Sequence, residues 1–113
     1  MNYELRIATK SDEARINELF IEMLNTIYNT SDSIGYEEGY LDRYFTDSED
    51  VIFVAYKDSV VFAFISVEVY RDEDFLYLDD FSVSKEYRSL GVGTNLIKRV
   101  EEYSKEIGIS KIE

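Results

Sequence analysis

The sequence predicts a single α/β domain built on a mixed sheet, and three observations carry that reading. Two stretches, 16–27 and 92–107, repeat apolar residues at the i, i+3, i+4, i+7 spacing of an amphipathic helix. Between them, from Val51, the period changes to near-continuous apolar runs broken at hairpin length. The chain has 113 residues, enough for one domain with a real core and too few for two ordinary ones. The predicted order is β-α-α-β-β-β-α-β, with the last strand only begun.

Each element has its own justification. Glu4 to Ala8 alternates around Leu5 and Ile7, a short first strand. Thr9 or Ser11 offers an N-cap, and Asp12 and Glu13 suit the positive end of a helix dipole. The first helix buries Ile16, Leu19, Phe20, Met23 and Ile27 and fades in Asn29-Thr30-Ser31-Asp32-Ser33. A second short helix, roughly Tyr36 to Phe45, is expected to bury Tyr40, Leu41, Tyr44 and Phe45. Val51–Tyr56 and Val60–Tyr70 are strands separated by Lys57-Asp58-Ser59 and covered on both faces. After the charged turn Arg71-Asp72-Glu73-Asp74, Phe75 to Val83 forms a third long strand. Lys85 to Leu90 is a loop, and a helix from Gly91 or Gly93 to Ile107 follows, with Gly108 as its C-cap. Ile109 to Glu113 opens another strand.

Composition excludes several chemistries. There is no His and no Cys, which removes disulfides, thiolate nucleophiles, zinc centres and Ser-His-Asp catalysis. No metal site is expected, because the carboxylates follow no metal-loop pattern. The formal charge of −12 argues against nucleic acid as a partner. No apolar run approaches the ~18–20 residues of a membrane span, and the N-terminus lacks signal-peptide character. A soluble cytoplasmic protein is the expectation. The charge is unevenly placed: residues 1–80 hold six Lys/Arg against 19 Asp/Glu, whereas residues 81–113 hold six against five. This asymmetry reads either as a solvated acidic surface or as two parts that face ligands of opposite charge.

The richest segment runs from Tyr77-Leu78-Asp79-Asp80-Phe81-Ser82-Val83 to Arg88-Ser89-Leu90-Gly91-Val92-Gly93-Thr94. A strand enters a loop with two close glycines, and a helix starts at once. Helix starts present unpaired N–H groups to anionic oxygens, and glycine lets a phosphate approach the backbone. The third glycine of a dinucleotide fingerprint and the Gly-Lys-Ser/Thr of a P-loop are both missing.

In these residues the sequence resembles the GNAT N-acetyltransferase superfamily. Arg88, Gly91 and Gly93 match its Arg/Gln-x-x-Gly-x-Gly/Ala signature, and Asp79-Asp80-Phe81-Ser82-Val83 matches the acidic strand before it. The likeness extends over essentially the whole chain, with Ala63 where the family often has Gly. It implies a mostly antiparallel mixed sheet flanked by helices, acetyl-CoA as donor and a primary amine of a small cationic, polyamine- or aminoglycoside-like acceptor. Backbone N–H groups of Arg88, Ser89, Leu90, Gly91, Val92, Gly93 and Thr94 would hold the CoA pyrophosphate. The backbone of Phe81, Ser82 and Val83 would flank the pantetheine arm, with an N–H of Phe81 or Val83 polarising the acetyl carbonyl.

Asp79 stands where several family members carry the carboxylate base. The alternatives are an electrostatic anchor for the acceptor or a strand residue without a role. Strict alternation would send Asp79 and Asp80 to opposite faces, so the pair is not expected to act as a dyad. Tyr77, on the Asp79 side, is a weaker site candidate or part of the core, and the Arg88 side chain either contacts CoA or braces its loop, the brace being the better reading. Tyr36, Tyr40 and Tyr44, with Glu37 and Asp42 nearby, either line an acceptor pocket or belong to the core. Against the family pattern the sequence is short at its C-terminal end, where a Tyr that protonates the CoA thiolate is usually found. That leaves three readings open: a fragment, completion by a second copy in a segment-exchanged homodimer, or a non-catalytic CoA-binding module.

Overall fold

In the computed structural model, which describes residues 2–113, five strands form one sheet in the order β1-β2-β3-β4-β5. These are β1 (Glu4–Ile7), β2 (Val51–Lys57), β3 (Val60–Tyr70), β4 (Phe75–Val83) and β5 (Lys111–Ile112). The first four pair antiparallel, and β5 joins β4 in parallel after a helical crossover. The sheet is therefore mixed and mostly antiparallel, and the expected element order holds with one change described below.

Helix α1 (Glu13–Tyr28) covers one face of the sheet, and α2 (Val92–Ile107) covers the other. Ile16 and Leu19 of α1 pack with Ile52, Val54 and Phe64. Val92, Leu96 and Val100 of α2 pack with Phe53, Ala63, Ile65, Val67 and Leu76. With a helix on each side, β2 and β3 are buried on both faces, which explains their unbroken apolar runs. Asp58 and Ser59 turn the β2–β3 hairpin, both at positive φ, the conformation a two-residue hairpin loop requires. Asn29 and Gly108 end the two helices in left-handed conformation, as their sequences suggested.

The second helix is shorter than the sequence predicts. Only Tyr40–Phe45 is helical, as a 3₁₀ segment, and Tyr36 lies outside it in an extended loop. Gly39 is the cause: at φ 84° it sits in a left-handed conformation that no right-handed helix can pass through. Leu41 and Tyr44 are buried as expected, whereas Tyr40 is exposed.

Strand β4 also departs from simple alternation. It pairs Leu78 with Val67 and Phe81 with Ile65, so Asp79 and Asp80 together oppose Ser66 alone. This is a β-bulge, and it shifts the phase of the strand by one residue. Leu76 and Leu78 face α2 before it, and Phe81 and Val83 pack on that side after it. The α1 face receives Tyr77, the two aspartates and Ser82, whose hydroxyl donates to the Leu19 carbonyl at 3.0 Å.

Candidate active site

The loop after β4 builds one half of the site. A cavity of about 320 Å³ is lined by Phe81, Ser82, Val83, Arg88, Ser89, Gly91, Val92 and Gly93, with Met23 of α1 and Tyr87 closing it. Eight of the ten residues singled out for cofactor binding thus share one concavity. Leu90 projects into solvent beside it, and Thr94 stands exposed in the first turn of α2. The first intrahelical bond of α2 runs from Asn95 N–H to Gly91 C=O. The N–H groups of Val92, Gly93 and Thr94 therefore precede the ladder and are free for an anion.

The two glycines have different reasons. Gly91 caps α2 at φ 76° with open space where a Cβ would stand, so it is required by backbone conformation. Gly93 brings α2 close to β4: a Cβ there would come within 2.8 Å of the tip of the Phe81 ring, which would have to shift. The Arg88 side chain turns back on its own loop, donating from Nε to the Val83 carbonyl at 3.1 Å and lying 3.8 Å from Glu22. Glu22 also accepts from the Lys85 N–H at 2.8 Å. The Arg88 side chain thus ties the loop back to the end of β4 while still lining the groove. Met23, Tyr87 and Glu22 were not singled out from the sequence. Met23 and Glu22 lie on a helix whose spacing reports only core packing, and Tyr87 stacks on Phe62 at 4.1 Å, a partner 25 positions away.

The other half of the site lies across β4, on the α1 face. The Tyr40 hydroxyl donates to Asp79 at 3.0 Å, and the Tyr36 hydroxyl donates to Asp80 at 2.8 Å. The two phenol rings are stacked 5.2 Å apart, and Phe20 of α1 continues the column 3.8 Å beyond Tyr36. Asn17 of α1 fixes the start of this column by accepting the Tyr36 backbone N–H at 2.8 Å. The expectation that Asp79 and Asp80 point to opposite faces is therefore corrected: the bulge turns both toward one pair of tyrosines. Glu37 and Asp42 do not reach the two aspartates; with Tyr36 they line a neighbouring cavity closed by Lys10 and Glu13.

The electrostatics of this half are acidic. Burial raises the Asp80 pKa, the Tyr36 hydrogen bond opposes that rise, and the charges of Asp79 and Glu68 reinforce it. Burial also raises the Tyr36 phenol, with help from Asp80, and pushes Tyr40 up to about 12. Both phenols are therefore protonated donors at neutral pH. Tyr77 is exposed on the same face, across from Glu68 in the ladder. Among the described residues no group of His, Cys, Asp and Glu converges as a metal site, and no helix is long and apolar enough to cross a membrane.

The site thus joins a strand with a bulged acidic pair to a Gly-x-Gly loop at a helix start, with a groove between β4 and α2. The family model for the acetyltransferase (GNAT) family matches residues 18–113, and the chain belongs to that family, whose donor is acetyl-CoA. No curated protein matches the sequence significantly. Solved structures agree on the fold. A GNAT acetyltransferase from Staphylococcus aureus Mu50 superposes with TM-score 0.83 at 18% identity, covering 98% of this chain and 72% of that one. An aminoglycoside acetyltransferase from an uncultured soil metagenomic sample gives 0.74 at 16% identity, covering 98% and 75%. N-acetylglutamate synthase from Neisseria gonorrhoeae, complexed with coenzyme A and N-acetyl-glutamate, gives 0.78 at 18%, covering 99% of this chain and 24% of that one.

Proposed function

We propose that the protein transfers the acetyl group of acetyl-CoA to a primary amine of a small cationic acceptor. The observation that carries this reading is the position of β4 between the two half-sites. Its Phe81–Val83 end lines the groove under α2, and its bulge presents two carboxylates to the opposite face. A thioester held along the end of β4 would meet an amine held at the bulge.

The residues suit the donor. The N–H groups at the start of α2 would take the pyrophosphate, and the Phe81–Val83 backbone lies beyond the stretch where β5 pairs with β4, which ends at Leu78. An N–H there would polarise the acetyl carbonyl. On the acceptor side the carboxylates attract an ammonium group and then accept its proton, which frees the nitrogen lone pair. The neutral nitrogen attacks the carbonyl carbon and the C–N bond forms; as the C–S bond breaks, the nitrogen gives up a second proton, which neutralises the departing thiolate and leaves an amide and free CoA thiol.

Asp79 is the proposed base. A second reading assigns the proton to Asp80, and its raised pKa favours that choice. Replacing each by Asn in turn decides between them. The variant that lacks the base loses about 10²–10⁴ in kcat with CoA affinity unchanged, and the other loses mainly KM. The class itself is tested by thiol release from acetyl-CoA with a panel of amines, together with thermal shift on adding CoA. CoA binding without turnover for any amine would instead support a non-catalytic CoA-binding module. Absence of any shift, with Gly91→Val behaving like wild type, would remove the cofactor site altogether.

A further inference from the structure

We infer that Glu22 of α1 is a positioning residue of the donor site. Its carboxylate clamps both ends of the turn that carries the chain from β4 to the N–H groups at the start of α2. The inference rests on the reading of that groove as the CoA site.

Val83 is the last residue of β4, Gly91 caps α2, and the single 3₁₀ turn Lys85–Tyr87 lies between them. The first N–H of such a turn has no partner inside it. Here the Glu22 carboxylate accepts the Lys85 N–H at 2.8 Å, while the N-cap Ser84 makes no side-chain cap bond. Glu22 therefore does from another element what a cap residue does locally. At the far end of the turn, Arg88 Nε donates to the Val83 carbonyl at 3.1 Å, and its guanidinium reaches the same Glu22 carboxylate at 3.8 Å. Met23, the next residue of α1, lines the groove together with Arg88.

The residues after the turn have little else to hold them. The N–H groups of Ser89 and Leu90 have no backbone partner among the described residues, and Leu90 is exposed. Ser89 stands at φ 68°, a left-handed conformation uncommon for serine. The donor loop thus takes its position from its two ends. One end is the start of α2, and the other is the turn, seated by the stack of Tyr87 on Phe62 and by Glu22. A stacked ring can slide in its plane, whereas the charge-assisted bond to Glu22 fixes direction and distance together. The same helix carries Asn17 and Phe20, which seat Tyr36 on the acceptor side, so α1 sets both half-sites.

Charge alone would make the opposite prediction. A carboxylate beside a diphosphate site repels the ligand, so its removal would tighten binding. Positioning requires that its removal weaken binding. The two effects differ in sign.

The test is calorimetric CoA affinity in the wild type, Glu22→Gln and Glu22→Ala, with thermal unfolding of each free protein. Glutamine keeps an oxygen for the Lys85 N–H and drops the charge; alanine drops both and suits the helix. Glu22→Ala is expected to bind CoA about tenfold more weakly, and Glu22→Gln to stay within about twofold of wild type or bind tighter. A role in stability alone would lower the melting temperature and leave the affinity of the folded protein unchanged. Unchanged affinity in Glu22→Ala, tighter binding in both variants, or no rescue by glutamine would overturn the inference. If Glu22→Ala does not fold, Lys85→Pro and Lys85→Ala replace it. Both lose the ammonium group, and only proline loses the N–H. Ser84, at φ −55° and ψ 139°, already has the conformation favoured before proline. Affinity about tenfold lower in Lys85→Pro than in Lys85→Ala supports the clamp, and equal affinities refute it. No CoA binding by the wild type would remove the donor reading itself. Wild-type binding with an unaffected Glu22→Ala would leave that reading in place and sink only the role of Glu22.

Discussion

Asp80 shows how a single residue links site chemistry to stability. Its carboxyl is half-buried, and burial raises its pKa above the unfolded value. A raised carboxyl pKa means that the native state binds the proton more tightly than the unfolded chain does. The charged form is therefore a cost at neutral pH, and the cost disappears once the pH falls below the ordinary carboxylate range. Asp80→Asn, which keeps an oxygen for the Tyr36 hydroxyl, is expected to raise the melting temperature at pH 7 and to lose that advantage toward pH 3–4. Thermal unfolding across pH measures it. Gly93 makes a prediction of a different kind. A valine there drives its side chain into the Phe81 ring, which is expected to cost about 1–3 kcal/mol and to weaken CoA binding together. Denaturant unfolding and a CoA titration of Gly93→Val read the two effects.

At the scale of elements, the start of α1 depends on Asp12. Its carboxylate accepts from Arg6 of β1 at 2.7 and 2.9 Å and from the Thr9 N–H at 2.8 Å, tying the first strand to the first helix. The Arg6 hydrogen bonds hold its pKa below the usual value against the opposing effect of burial. This contribution is present above the unfolded pKa and is lost as the pH falls through the lower folded one. Asp12→Ala is expected to cost roughly 1–3 kcal/mol at pH 7 and progressively less under acid conditions. Elements whose period spans many residues were legible in the sequence: α1, α2 and the ends of β3 and β4 fall where spacing and turn residues put them. Two features were not read. The 3₁₀ segment depends on the backbone conformation of Gly39 alone, and composition does not report that. The bulge did leave a trace, because the α2-facing apolar positions step from 76 and 78 to 81 and 83. Strict alternation hides such a slip, and so the two aspartates were assigned to opposite faces. The residues of the groove proposed for the cofactor were legible because they are contiguous in the chain. The tyrosine–aspartate contacts join positions about forty residues apart, and only the fold brings these together.

For the whole molecule, 24 acidic residues against 12 basic ones make self-repulsion a general term. Screening weakens it, so moderate salt is expected to raise the melting temperature while lowering affinity for any cationic acceptor. Opposite responses of the two quantities in one salt series would separate global repulsion from local attraction. The acidic excess lies in the first 80 residues, which supply both carboxylates of the proposed acceptor site, and the near-neutral remainder supplies α2 and its loop. The extra residue of β4 has a consequence for changes in chain length. Removing either Asp79 or Asp80 would leave one residue opposite Ser66 and every flanking pair, Leu78 with Val67 and Phe81 with Ile65, in register. The interior of a long strand, ordinarily an unforgiving place for a deletion, is here a position where the chain can lose one codon, halve its local carboxylate count and still close the same ladder with β3.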